Sequence, residues 1–143
     1  MIKIYTFMPL VARRFIMANI ILSDGEWKLM RAIWANQPCS LGQLVVALDE
    51  ETHWTKSTIF VMCRRLIAKG AVMLDTTGKI QLYSALVTEK ECADRESHAF
   101  LSRVYHGSVG LLLSSLAGQK ALSKDEISEL KKILDEAESS LEE

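Results

Sequence analysis

Four capping boxes, each opening an amphipathic segment, are the strongest structural signal in this sequence. In a capping box, a Ser or Thr accepts a hydrogen bond from the N–H three residues later, and the Glu or Gln there reaches back to the Ser or Thr backbone. The four pairs are Ser23/Glu26, Ser40/Gln43, Thr88/Glu91 and Ser123/Glu126. One such match is weak evidence. Four of them predict a mostly helical chain.

The first half of the chain predicts three helices followed by a hairpin. Apolar spacing places the helices at about 23–36, 40–50 and 55–69. Pro38 prevents the first from continuing, and Gly70 is typical of a helix C-terminus. The third helix has an apolar stripe of Ile59, Met62, Cys63, Leu66 and Ile67. Strands are then predicted at Ala71–Leu74 and Lys79–Leu86, joined by the turn Asp75–Gly78.

The remainder of the chain is predicted to be helical again. A helix over about 89–106 is followed by a break at Gly107 and Gly110, a short helix to about Ala117, and a last helix from Ser123. The last helix carries a heptad seam: Ile127, Leu130, Leu134, Ala137 and Leu141. A tail this small has little internal core, so we expect its seams to meet a second copy of the chain.

Together these elements define a fold class and three regions. The class is mainly α with a small β-hairpin: a winged helix-turn-helix domain plus a C-terminal helical dimerisation region. We expect an N-terminal extension at 1–17, either disordered or a non-native start, then the winged domain at 18–87 and the dimerisation domain at 88–143. Net charge supports two different roles, since residues 1–87 carry +4 and residues 88–143 carry −5.

Cysteine usage and the N-terminus favour a cytoplasmic protein without cofactors. The three cysteines form no CxxC pair, which argues against a disulfide framework or a cysteine-based zinc site. The N-terminal uncharged run 4–12 is less than half of the ~20 residues that span a bilayer, and Arg13 and Arg14 interrupt it. We therefore expect no targeting signal and no membrane insertion.

The third helix is the candidate contact with double-stranded DNA. No acidic residue occurs between Thr52 and Leu74. The predicted contact residues are Thr55, Lys56, Ser57, Thr58, Phe60, Val61, Arg64, Arg65 and Lys79. Thr55, Ser57 and the first backbone N–H groups suit phosphates. Arg64 suits guanine, Phe60 or Val61 suits thymine methyls, and Lys79 on the wing suits a neighbouring phosphate.

Three other interpretations stay open at this point. The basic helix face is also compatible with a solvated surface that binds no nucleic acid. Exposed Phe60 and Val61 are also what a winged-helix protein-interaction module would present. A metal- or redox-responsive regulator would use Cys92 and His98. An enzyme is disfavoured, because none of the three histidines lies in a recognisable nucleophile, phosphate or metal motif.

Several segments resemble one known family. The run from Leu22 to Met30, LSDGEWKLM, is similar to the opening of the penicillinase repressor family, the BlaI/MecI/CopY type. The likeness continues through the Ile33-Trp34, Trp54, Thr58-Ile59, Arg65-Leu66 and Lys69-Gly70 positions, the segments 83–87 and 100–107, and the segment 122–130. Winged helices in general do not share the tail pattern.

The resemblance implies a dimeric transcriptional repressor. Family members bind palindromic operators with TACA/TGTA half-sites, and their C-terminal helices interlock. In many members a membrane sensor-protease signals cleavage at an Asn-Phe pair, where this chain has Ala99-Phe100, the candidate cleavage region. Phe60 and Val61 replace the family's usual Arg and Thr. The copper-type C-terminal cysteine cluster is absent, since the last cysteine is Cys92.

Overall fold

A computed structural model of the chain describes residues 20–142. The predicted N-terminal extension, 1–17, lies outside the described residues. The elements are, in order, α1 (Asp24–Asn36), α2 (Leu41–Thr52), α3 (Lys56–Ala68), β1 (Val72–Asp75), β2 (Leu82–Ala85), α4 (Glu89–Tyr105), α5 (Val109–Gly118) and α6 (Lys124–Leu141). The predicted mainly helical chain with one small hairpin is confirmed.

All four capping boxes form, and they fix where α1, α2, α4 and α6 begin. In the first, Glu26 N donates to Ser23 Oγ at 3.2 Å, and Ser23 N donates to Glu26 Oε1 at 2.9 Å. The same reciprocal pair of bonds occurs at the other three helix starts. Each box satisfies backbone donors that an isolated helix leaves unpaired, which is why these boundaries follow from local sequence.

The wing is shorter than predicted. The antiparallel strands pair Val72 with Ala85 and Asp75 with Leu82. The sequence placed the second strand from Lys79 to Leu86, but residues 76–81 form the connecting loop instead. The loop begins early because Asp75 Oδ1 accepts bonds from Thr77 N at 2.8 Å and Thr77 Oγ1 at 2.6 Å, which turns the chain away from the ladder.

A third backbone segment, not predicted, pairs with β2. Cys39, in the connection between α1 and α2, exchanges two backbone hydrogen bonds with Tyr83, at 3.0 Å and 2.7 Å. Both residues are buried. This bridge ties the base of the wing to the helices.

The core lies among α1, α2, α3 and the hairpin. Its fully buried large side chains include Leu29, Met30, Ile33, Leu44, Ile59, Leu66 and Val72. Trp34 spans from the core to the chain after the wing, where its indole Nε1 donates to Val87 O at 2.9 Å. The apolar stripes read from the helical spacing therefore face inward, and α3 is held with its other side outward.

Contacts divide the described residues into two compact units, with the division between Ser97 and His98. The division lies within α4 rather than at its start, where the sequence placed a boundary at 87/88. Cys92, in the first half of α4, is buried with the first unit's core, so these first turns count with the winged helix. The predicted domain boundary at 87/88 stays a prediction.

The second unit consists of the second half of α4 together with α5 and α6. None of residues 98–142 is buried. Several large apolar side chains on it are exposed, among them Val104, Leu111, Ile133 and Leu134. Across residues 20–142, no helix is both long enough and apolar enough to cross a bilayer.

Candidate nucleic-acid interface

Helix α3 has one buried face and one exposed face. Ile59, Cys63 and Leu66 are fully buried, which anchors the helix on α1 and α2. The exposed side carries the residues predicted to meet DNA: Lys56, Ser57, Thr58, Phe60, Val61, Arg64 and Arg65. Helical spacing predicts an outward face of six residues, and all six are exposed: Lys56, Ser57, Phe60, Val61, Arg64 and Ala68.

The N-terminus of α3 presents small polar groups and free backbone donors. Thr55 is the N-cap, and its Oγ1 accepts from Thr58 N at 3.2 Å and lies 3.0 Å from Thr58 Oγ1. Because the Thr55 and Thr58 hydroxyls bond to each other, the exposed Ser57 hydroxyl is the one more available to bind a ligand. The first-turn N–H groups at Lys56 and Ser57 have no intrahelical acceptor, which suits a phosphate oxygen.

The middle of α3 combines an aromatic ring with a cation. Phe60 and Val61 are 41% and 49% exposed, so α3 presents apolar as well as basic side chains on this face. The Arg64 Cζ lies 5.9 Å from the centroid of the Phe60 ring, within cation–π range. An apolar surface bordered by guanidinium groups matches what a major groove offers at thymine and guanine.

An open groove of about 770 Å³ runs along the adjacent edge of α3 towards the start of α1. Arg65 and Ser57 line it from α3, and Ser23 lines it from the α1 cap. Arg65 therefore shares this groove with Ser57 and the capped start of α1, where the acidic Glu26 also lines it.

Lys69 serves a structural role that sequence reasoning missed. Its Nζ donates to Glu26 Oε1 at 2.6 Å and to Ile21 O at 3.0 Å. Burial raises the pKa of Glu26, but hydrogen bonds from Lys69 and Ser23, with the charge of Lys69, outweigh it and leave that pKa below its usual value. The capping-box Glu26 was readable from the sequence, but nothing in the sequence pairs it with Lys69.

The wing loop places Lys79 in solvent, as predicted. Ile80, beside it, is 64% exposed. The hydrogen bonds from the Thr77 hydroxyl and N–H lower the pKa of Asp75, which keeps this carboxylate charged at the base of the loop. The loop thus carries one negative charge at its base and one positive charge at its tip.

The candidate cleavage residues lie within α4, in the second unit. Phe100 is 36% exposed, its ring is 5.9 Å from that of Tyr105, and the Arg103 guanidinium lies 6.0 Å from it. Both Ala99 and Phe100 are helical. A protease binds an extended segment, so cleavage here requires α4 to open locally.

Residues 20–142 contain no group of three His, Cys, Asp or Glu side chains placed to hold a metal ion. Cys92, proposed with His98 for a metal or redox response, is buried, and burial raises the pKa of its thiol. A raised thiol pKa disfavours the reactive thiolate.

Comparison with known proteins finds relatives that match most of the chain. The family model described as "Penicillinase repressor" matches residues 22–136. The penicillinase repressor of Bacillus licheniformis is 31% identical over 115 residues, which cover 80% of this chain and 90% of that protein. The methicillin resistance regulatory protein MecI of Staphylococcus aureus strain N315 is 31% identical over 113 residues, covering 79% and 92%.

Among solved structures, the solution structure of the monomeric form of Bacillus licheniformis BlaI in complex with the blaP half-operator is 28% identical. It aligns with a TM-score of 0.46, covering 50% of this chain and 88% of that one.

Proposed function

The chain belongs to the penicillinase repressor family, and from that premise we propose that it is a transcriptional repressor that binds a palindromic DNA operator as a homodimer. The family consists of repressors, which are not enzymes. The observation that carries the proposal is the exposed face of α3, which is basic, free of acidic residues and fixed by a fully buried opposite face.

Each predicted contact has a distinct role in this proposal. Arg64 reads a base edge, while Phe60 and Val61 contact thymine methyl groups. Lys56, Ser57, Arg65 and the first N–H groups of α3 hold the backbone, with Thr55 and Thr58 shaping the helix start. Lys79 contacts a neighbouring phosphate from the wing. Two such domains lie on major-groove faces about one helical turn apart, and the occupied promoter excludes polymerase.

Dimerisation is proposed through the second unit. Residues 98–142 include no buried side chain, although α6 carries an apolar seam at Ile127, Leu130, Leu134, Ala137 and Leu141. A seam with heptad spacing is stabilised when it packs on a partner helix. The occupant we propose is the same seam of a second copy. The net charge of −5 over residues 88–143 disfavours contact of this region with DNA.

DNA binding is tested by footprinting the purified full-length protein on the promoter of its own gene. Replacing Arg64 by Ala should weaken operator binding by about 1–3 kcal/mol and relax the preferred sequence. Replacing Lys79 by Ala should weaken binding to all duplexes alike and lower the salt dependence, since one phosphate contact is lost. Absence of any footprint or of low-salt duplex binding would instead favour the protein-interaction module.

Dimerisation is tested by sedimentation equilibrium. The wild-type chain should sediment as a dimer, and Leu134→Asp should shift it towards monomer because it buries a charge in the seam. Ser128→Asp on the same helix is the matched control and should remain dimeric. A monomeric wild-type chain contradicts the proposal.

Induction is proposed to follow the family's proteolytic route, in which a membrane sensor-protease system leads to cleavage at Ala99-Phe100 in the cytoplasm. What supports it is the position of this pair in α4, at the start of the unit through which dimerisation is proposed. Mass spectrometry of the protein recovered from induced cells should show fragments ending at Ala99. An intact chain under full derepression would exclude this route.

A further inference from the structure

Phe60 and Arg64 lie one helical turn apart on the exposed face of α3 and contact each other. The guanidinium carbon is 5.9 Å from the ring centroid, and the ring remains 41% exposed. Within residues 20–142 the Arg64 guanidinium contacts the Phe60 ring and makes no ion pair or hydrogen bond. The N–H groups of the guanidinium are therefore available to a ligand, although one face of its plane already contacts the ring.

A guanidinium held by its face keeps its hydrogen-bonding edge free. Arginine is planar, stacks on aromatic rings and presents donors in a fixed fork. A free arginine loses rotamer freedom when it binds, and a partner that orders it beforehand reduces that loss. The Phe60 ring supplies such a partner on a helix whose position is set by the buried Ile59 and Cys63.

We propose that Phe60 and Arg64 read DNA as one unit, selecting a guanine with a thymine close beside it. The Arg64 fork donates to O6 and N7 of the guanine, and the exposed part of the Phe60 ring contacts the thymine methyl. Phe60 is thus both a specificity residue for thymine and a positioning residue for Arg64. This inference rests on the proposed function, because it requires α3 to enter a major groove.

Helix geometry limits where the two bases lie. Four residues advance about 6 Å along a helix, and successive bases on one strand are about 3.4 Å apart. The thymine and the guanine therefore occupy base pairs no more than two steps apart. Val61, the next residue, is 49% exposed and widens the apolar surface. It has no aromatic ring on which the Arg64 guanidinium could stack.

The test is selection of bound duplexes from a pool with a randomised centre, using the full-length chain. The variants are Phe60→Ala, Phe60→Leu and Arg64→Ala. Val46→Ala is the control, because Val46 is a 78% exposed apolar residue on α2 rather than on α3. Unfolding midpoints are measured for each protein, and the exposed positions of these residues predict little change.

The wild-type protein and Val46→Ala should enrich the same guanine and neighbouring thymine. Arg64→Ala should lose the guanine and keep the thymine. Phe60→Ala should lose the thymine and reduce the guanine preference by about 2–5-fold, since Arg64 is no longer held by the ring. Phe60→Leu should keep the thymine through its apolar contact and reduce the guanine preference by about 2–5-fold, the size of an exposed cation–π interaction.

Modified duplexes of the selected sequence provide the second measurement. Replacing the thymine by deoxyuridine removes only the methyl and should weaken wild-type binding by about fourfold. Replacing the guanine by 7-deazaguanine removes the N7 acceptor and should weaken wild-type binding but not Arg64→Ala binding. In a double-mutant cycle, the effects of Phe60→Ala and Arg64→Ala should fall short of additive.

Two failures are distinguishable. If the wild-type protein enriches no sequence even at low salt, the proposed function is wrong and this inference falls with it. If a sequence is enriched but Phe60→Ala leaves its guanine preference intact, the two residues act independently and the inference alone is overturned.

Discussion

Replacing Lys69 by Met removes the positive partner of a buried carboxylate. The Glu26 side chain is 6% exposed and the Lys69 side chain 38%, with 2.6 Å between Oε1 and Nζ. The second oxygen, Glu26 Oε2, is buried without a hydrogen-bond partner among residues 20–142. In the variant, Glu26 keeps only its bonds at the Ser23 cap, so a buried charge loses its ion pair.

The magnitude lies between two limits. Breaking a fully buried pair costs about 3–5 kcal/mol, whereas exposed pairs contribute about 0–1 kcal/mol. Since one end is buried and the other is more than a third exposed, we expect the free energy of unfolding to fall by about 2–3 kcal/mol between these limits. Urea unfolding followed by tryptophan fluorescence measures it, at one protein concentration because association shifts apparent stability.

The pH dependence identifies the carboxylate as the cause. The folded-state pKa of Glu26 is lowered, so its contribution is present above the unfolded pKa and is lost as pH falls through the folded pKa. Without Lys69 the opposing effect of burial is less compensated, and the pKa of Glu26 rises. The difference between wild type and Lys69→Met should therefore be full at neutral pH and shrink in acid, where Glu26 is protonated in both.

A matched control is Lys28→Met, which breaks a longer and more exposed ion pair with Glu51, at 3.8 Å. It should change the free energy of unfolding by less than about 1 kcal/mol. If Lys69→Met costs no more than Lys28→Met, or costs the same at neutral and acidic pH, Lys69 does not stabilise a buried Glu26 carboxylate.

Three further outcomes are expected from single features of the fold. Trp34→Phe keeps most of the ring but leaves the buried Val87 carbonyl without its indole donor, so unfolding free energy should drop by about 1–3 kcal/mol in urea titration; an unchanged midpoint would mean that the carbonyl finds another donor. Burial raises the pKa of Cys63 to about 12, so this thiol should resist an aromatic disulfide reagent at pH 8 until urea unfolds the chain, and rapid labelling of native protein contradicts its burial. Gly107 has φ +82 with open space around it, so Gly107→Ala should lower the melting temperature by backbone strain alone, costing about 1 kcal/mol, whereas Gly118→Ala, at an ordinary φ, should not.

The starts of the helices could be predicted from the sequence, because the hydrogen bonds that fix them join residues only three positions apart. Ser23, Ser40, Thr88 and Ser123 each bond the residue three positions later, and the structure begins a helix at each. The outward face of α3 was also readable, since helical periodicity alone separates Ile59 and Leu66 from Phe60 and Arg64.

The second strand of the wing was predicted too long, because a strand forms only where a partner backbone pairs with it. Lys79 and its neighbours have strand-like composition, but the Asx turn at Asp75 ends the ladder before them. The bridge between Cys39 and Tyr83 joins residues that share no local motif. A pattern of period two indicates an extended chain without saying what it pairs with.

Sequence by itself determined which segments are helical and which face of each is apolar, because capping and periodicity act along a few consecutive residues. Tertiary structure decided the use of individual charges. Lys69, the last residue of the predicted third helix, neutralises Glu26, 43 residues earlier in the chain. Only packing α3 against the start of α1 brings these two groups together, and the buried Glu26 carboxylate is stabilised because Lys69 supplies a positive partner.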